Sequence, residues 1–232
     1  MSEPVFDWLT IAQRMDHWFE TMRTERGYGG PVVHWWRNCL QYTGAGLDWR
    51  YEGIISAYLT LHERTGDAHY LEQACCAGDD LVFGQLASGN FRHSAFELNP
   101  YTGGTPHEAA ADIGLLKLAL ALRELDDPRA EHYAEAAQRN LHAFWIERLW
   151  NEEQGYFRDH HRTETFVPNK SSTLSEAFFL LATWTDDDSL IERHVLPTLK
   201  NVIGLQVQPE DRRESLHGGI AQNIYGTALK QH

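Results

Sequence analysis

Cysteine is scarce in this chain. Only Cys39, Cys75 and Cys76 occur in 232 residues. An odd number, with two adjacent, excludes a disulfide-stapled scaffold and predicts reduced thiols in a cytoplasmic protein. Lysine is nearly as scarce: of 20 basic residues only Lys117, Lys170, Lys200 and Lys230 are lysine. The basic residues are outweighed by 33 acidic ones, for a formal net charge of −13. That balance argues against nucleic acid or an anionic membrane as the main partner. It fits a salt-adapted host and a GC-rich genome equally well. No apolar run reaches the roughly 18 residues needed to cross a bilayer. The opening MSEPVFDW has no basic region followed by an apolar one, so a secretory leader is not expected. No Gly-rich loop follows a predicted strand, so no nucleotide cofactor is expected. His160 and His161 are adjacent and poorly spaced to share an ion, and no metal is expected either.

Aromatic residues, by contrast, are plentiful: eight Trp, nine Tyr and ten Phe, enough to fill a core or line a groove. Apolar residues at three- and four-residue steps predict helices over 3–23, 49–64, 67–87, 107–124, 128–150, 172–184, 188–206 and 216–230. Gly27, Gly29, Gly30, Pro31, Gly44 and Gly46 mark 24–47 as a loop. Gly155-Tyr156-Phe157 suggests a short hairpin. Ser171 or Ser172 is the expected cap of the sixth helix.

The organising feature is an internal register. Thr65-Gly66-Asp67, Leu125-Asp126-Asp127 and Thr185-Asp186-Asp187 are tight turns sixty residues apart, twice. Each follows a Leu/Ala-rich helix and precedes a more amphipathic one. The repeating unit is inner helix, tight turn, outer helix, long loop, with the long loops on one rim. A hairpin of this kind cannot bury its own apolar face, so neighbours must stack. The reading is an all-α chain: an α/α-hairpin toroid, an incomplete or open barrel of about eight helices, as one domain over 1–232. TPR and HEAT scaffolds repeat faster and lack long loops. Function is expected on the long-loop rim.

The segments TLHERTGDAHYLEQA and LRELDDPRAEHYAEAA, with the junctions GLDWRYEG and GGTPHEAAAD, resemble the six-hairpin glycosidase-like superfamily of (α/α) toroids. The resemblance implies inner helices around a funnel and a carbohydrate-acting site at its long-loop mouth. Such toroids also host lanthionine and terpenoid cyclases. Eight predicted helices stand where a six-hairpin barrel has twelve. The resemblance therefore implies an open barrel, one closed by another chain, such as a homo-oligomer, or part of a longer one.

The register also aligns candidates for chemistry. Asp48 and Glu108 share one phase; Glu52, Asp112 and Ser172 share another. Carboxylates around one mouth can divide acid and base roles, as glycoside hydrolysis requires. Acidic residues in a first turn are also ordinary helix caps, and that alternative stays open for each. Asp48, Glu108 and Asp112 are the candidate acid/base groups, with His107 as proton shuttle. Trp35, Trp36 and Trp49 offer faces for stacking a sugar, and Arg37 and Arg50 can clamp a carboxylate. Glu52, Asn99, Tyr101, Lys170 and His217 complete the candidate binding set. The acidic runs at Asp79-Asp80 and Asp186-Asp187-Asp188 read as solvated outer faces. Three functions stay open: a carbohydrate-active enzyme of hydrolase, lyase or isomerase type acting on a small sugar or oligosaccharide; a non-catalytic α/α-repeat protein; and a terpenoid- or peptide-cyclase-like toroid.

Overall fold

The computed structural model describes residues 7–34, 39–43, 46–47, 49–92, 106–158, 166–208 and 218–220; at 30–34, 39–43 and 106–108 no side chain is described. The chain divides into two compact units, one of residues 1–46 with 93–97 and one of residues 47–92 with 98–232.

In the first unit, α1 (Trp8–Thr21) starts at Asp7, whose Oδ1 accepts from Thr10 N at 3.2 Å and so satisfies one of the donors a helix start leaves open. The region read as a loop at 24–47 is instead built of antiparallel hairpins. β1 (Arg23–Thr24) pairs with β2 (Gly27–Tyr28), and β3 (Gly30–His34) pairs with β4 (Cys39–Thr43), Val32 opposite Gln41. The density of Gly and Pro hid a strand-forming pair of segments, Pro31-Val32-Val33 and Leu40-Gln41-Tyr42. Arg23 lies over the Tyr28 ring at 4.9 Å and Phe19 meets the same ring edge-on, which ties the first hairpin to α1.

The second unit is a row of α/α hairpins. α2 (Trp49–Thr65) turns into α3 (Ala68–Phe83), and α4 (Pro106–Glu124) into α5 (Arg129–Asn140). The latter runs on through a π-helical stretch (Leu141–Ile146) and the single turn α6 (Glu147–Leu149). The short hairpin β5 (Trp150–Asn151) and β6 (Tyr156–Phe157) follows, then α7 (Pro168–Thr185), a π-helical stretch (Ile191–Val195) and α8 (Leu196–Gly204). α4 packs against α2 on one side and α7 on the other, and each of these inner helices packs against its own outer partner. Gly66, Asp126 and Asp186 all adopt left-handed φ, at 70°, 54° and 54°. The next residue of each turn then caps the outer helix: Asp67, Asp127 and Asp187 accept from the backbone N–H of His69, Arg129 and Ser189. The sixty-residue register is thus a register of backbone geometry.

The core lies between inner and outer helices, with Tyr51, Ile55, Leu115, Leu118, Leu122, Tyr133, Trp145 and Phe178 almost fully buried. Asp79 is exposed and Asp80 half-buried, as a solvated run requires, and both also have partners: Asp79 accepts from Tyr133 Oη at 2.8 Å and Asp80 from Tyr51 Oη at 3.2 Å. They tie α3 to α5 and to α2. α3 ends at Phe83, short of the predicted 87, because the chain turns at Gly84 to form a bridge between Gln85 and Phe91. Gln85 and Asn140 both donate to the Gly89 carbonyl. α7 begins at Pro168 rather than at a serine cap; Ser171 is buried and Ser172 Oγ donates back to the Pro168 carbonyl. Of the helix expected at 216–230 only 218–220 are described, as a turn and a bridge from Ile220 to Gln206. No helix among the described residues is long and apolar enough to cross a membrane.

Candidate functional site

Three inner helices begin at one rim. Equivalent levels meet along them: Gly114 of α4 faces Glu52 of α2, Lys117 reaches Glu176 of α7, and Arg123 reaches the Trp184 carbonyl. Between α4 and α7 both partners rise together in number, and α2 follows α4 in the same sense, Ser56, Thr60 and Glu63 lining one cleft with Lys117, Ala121 and Glu124, so the three helices run parallel with their first turns at the same end. Gly114 permits this closeness, since a Cβ there would stand 3.2 Å from the Glu52 Cα.

The sequence candidates fall in three groups. Trp35, Trp36, Arg37, Asp48, Asn99, Tyr101 and His217 lie outside the described residues. His107 and Glu108 sit on the first turn of α4, and their side chains are not described. The rest are placed. Trp49 is the first residue of α2 and is 55% exposed, as a stacking residue must be. Arg50 and Lys170 are half-buried in the first turns of α2 and α7. Asp112 is fully buried. Lys117 lies five positions further on, which turns the two side chains about 140° apart around α4.

The ionisable residues that do converge are Glu52, Lys117 and Glu176, one from each inner helix. Lys117 Nζ is 3.1 Å from Glu52 Oε1 and 3.1 Å from Glu176 Oε1, so the two carboxylate oxygens lie within twice that distance of each other. Burial pushes the Lys117 ammonium down, but hydrogen bonds to Glu176 and Glu52 outweigh it and hold its pKa above the ordinary lysine value. Ser56, one turn below Glu52, donates to Glu52 Oε1 at 3.4 Å. A cleft of about 550 Å³ borders Lys117 along α2 and α4 and runs to their last turns, lined also by Ser56, Thr60, Glu63, Leu71, Ala121 and Glu124; Glu52 and Glu176 do not line it. Sequence reading placed Glu52 at the mouth but did not join it to Lys117 and Glu176. A signal was there: Lys117 is the only charge in the apolar run Ile113–Leu122. Among the described residues no cluster of three or more His, Cys, Asp or Glu is arranged to hold a metal ion.

No protein-family model and no curated protein matches the chain. Solved structures do match its shape. A sugar epimerase from a ruminal bacterium superposes with a TM-score of 0.66 at 15% identity, over 94% of this chain and 58% of its own. A GH76 alpha-mannanase from Bacteroides thetaiotaomicron gives 0.58 at 14%, over 87% and 56%. A D-mannose isomerase gives 0.55 at 15%, over 87% and 52%. The fold is an (α/α) toroid, as in these three structures. The chain spans little more than half the length of these structures. In toroid terms, α2, α4 and α7 are inner helices and α3, α5 and α8 their outer partners. Glu52, Lys117 and Glu176 then form one level of the inner face.

Proposed function

We propose that this toroid is a carbohydrate-active enzyme with its site at the rim where the inner helices begin. The observation that carries the reading is the likeness of most of the chain to three toroids whose names record action on sugars: an epimerase, an isomerase and a mannanase. Acid/base chemistry falls to Asp48 and Glu108 with His107 as shuttle, while buried Asp112 acts through its neighbours. Exposed Trp49 stacks the sugar. Arg50, Asn99, Tyr101, Lys170 and His217 hold its polar groups. The scarcity of cysteine and the adjacency of Cys75 and Cys76 support a reducing, cytoplasmic setting.

The test is calorimetry and product analysis with D-mannose, D-glucose, cellobiose and mannotriose. The expected result is saturable binding with turnover, and a loss of turnover of order 10²-fold or more in Asp48→Asn or Glu108→Gln. Binding and turnover indifferent to both substitutions would overturn the reading.

A further inference from the structure

The Glu52–Lys117–Glu176 row goes beyond the mouth residues. Its three charges come from three separate helices and meet at one level of the inner face. They are neither sealed in nor free in water: side-chain exposures are 32% for Glu52, 33% for Lys117 and 52% for Glu176. Ion pairs at such exposure add little stability, so stability alone does not account for a lysine amid the apolar face of α4. The row alternates acceptor, donor, acceptor, and an ammonium has three N–H donors, of which the two carboxylates take two. The cleft beside it has the volume of a small-ligand site.

We propose that Glu52, Lys117 and Glu176 form a hydroxyl-reading subsite for a neutral sugar, and that this subsite rejects anionic sugars. The proposal rests on the carbohydrate reading above. Each carboxylate accepts a sugar O–H, and the remaining Lys117 donor meets the oxygen between them. The exclusion of anions follows from charge. Two carboxylates engage the one ammonium, and Glu63 and Glu124 line the cleft that Lys117 borders, so a uronate or sugar phosphate held at this row meets excess negative charge. Lys117 here reads hydroxyls and does not serve as an anion anchor.

The experiment is titration calorimetry at low salt with D-glucose and D-mannose, each against its uronate, and with cellobiose. Wild-type protein binds the neutral sugars at least roughly tenfold more tightly than the uronates, and Glu52→Gln, Glu176→Gln and Lys117→Met each weaken neutral-sugar binding by roughly tenfold. The double variant Glu52→Gln/Glu176→Gln, with Lys117 released, narrows or reverses the preference against uronates. Circular dichroism confirms that each variant is folded. Should Lys117→Met fail to fold, the half-exposed Glu176→Gln carries the test. Neutral sugars that bind equally well to wild type and folded variants would overturn this subsite and leave the carbohydrate reading standing. Uronates binding as tightly as neutral sugars would do the same. If no sugar in the panel binds, both fall together.

Discussion

Asp126 and Asp186 hold left-handed backbone conformations, φ 54° in both, where the first turn of the series has Gly66. A residue with a Cβ pays roughly 1 kcal/mol or more there, and a glycine does not. Asp126→Gly and Asp186→Gly should each raise stability by up to about 1 kcal/mol, read as a higher urea midpoint at unchanged slope. The residues immediately after them should behave in the opposite sense. Asp67, Asp127 and Asp187 each accept a backbone N–H at 2.9–3.0 Å, and replacing any one with Ala should cost about 1 kcal/mol. Asp127 also accepts from the Arg129 guanidinium, which in turn reaches Glu72. That arginine holds the Asp127 carboxyl below the usual carboxylate range. An Asp126→Gly variant less stable than wild type would show that something other than backbone strain governs the turn.

At the scale of elements, two helical glycines separate packing from propensity. A Cβ on Gly78 of α3 would stand 2.6 Å from Leu118 Cδ2 and 2.8 Å from Tyr133 Cε1. This is the point at which α3 lies against the inner helix α4 and the outer helix α5. Gly78→Ala should cost about 1–3 kcal/mol through overpacking. A Cβ on Gly53 of α2 would meet nothing within 4 Å, so Gly53→Ala should gain about 0.5–1 kcal/mol from helix propensity alone. Thermal melts of the two variants, moving in opposite directions, check both. The helices themselves were legible because a 3.6-residue period and Asp/Gly turn chemistry are local signals. The strands at 30–34 and 39–43 were not, because glycine and proline mask alternation over so short a span. Nor was the role of Asp79 and Asp80, since their partners Tyr133 and Tyr51 are remote in sequence.

For the whole molecule, the sixty-residue register led to the hairpin stack and to the rim where the inner helices start. It could not say which polar residues face one another, because that depends on how each helix is rotated. Asp112 and Lys117 show this: one is fully buried and the other faces two carboxylates across three helices. His194 shows how the same packing makes stability respond to pH. Its ring sits among Trp150, Phe157 and Phe178, with centroids 4.6, 5.8 and 5.4 Å away. Its Nδ1 is buried with no hydrogen-bond partner among the described residues. Burial lowers its pKa below the ordinary value of 6.5, with Arg193 and His142 acting in the same direction and Glu152 against. A histidine whose folded pKa lies below its unfolded one binds more protons unfolded than folded. The fold therefore keeps its full stability above 6.5 and loses some as pH falls below it. The net charge of −13 works the other way, because protonating exposed groups relieves self-repulsion. Comparison with His194→Phe isolates the buried ring from that background. Across urea titrations from pH 7.5 to 5.0, the stability of wild type relative to His194→Phe should fall steadily as pH falls, with the change concentrated below 6.5. A difference that stays constant with pH, or grows in favour of wild type toward acid, would mean that His194 takes up its proton without leaving the aromatic cluster.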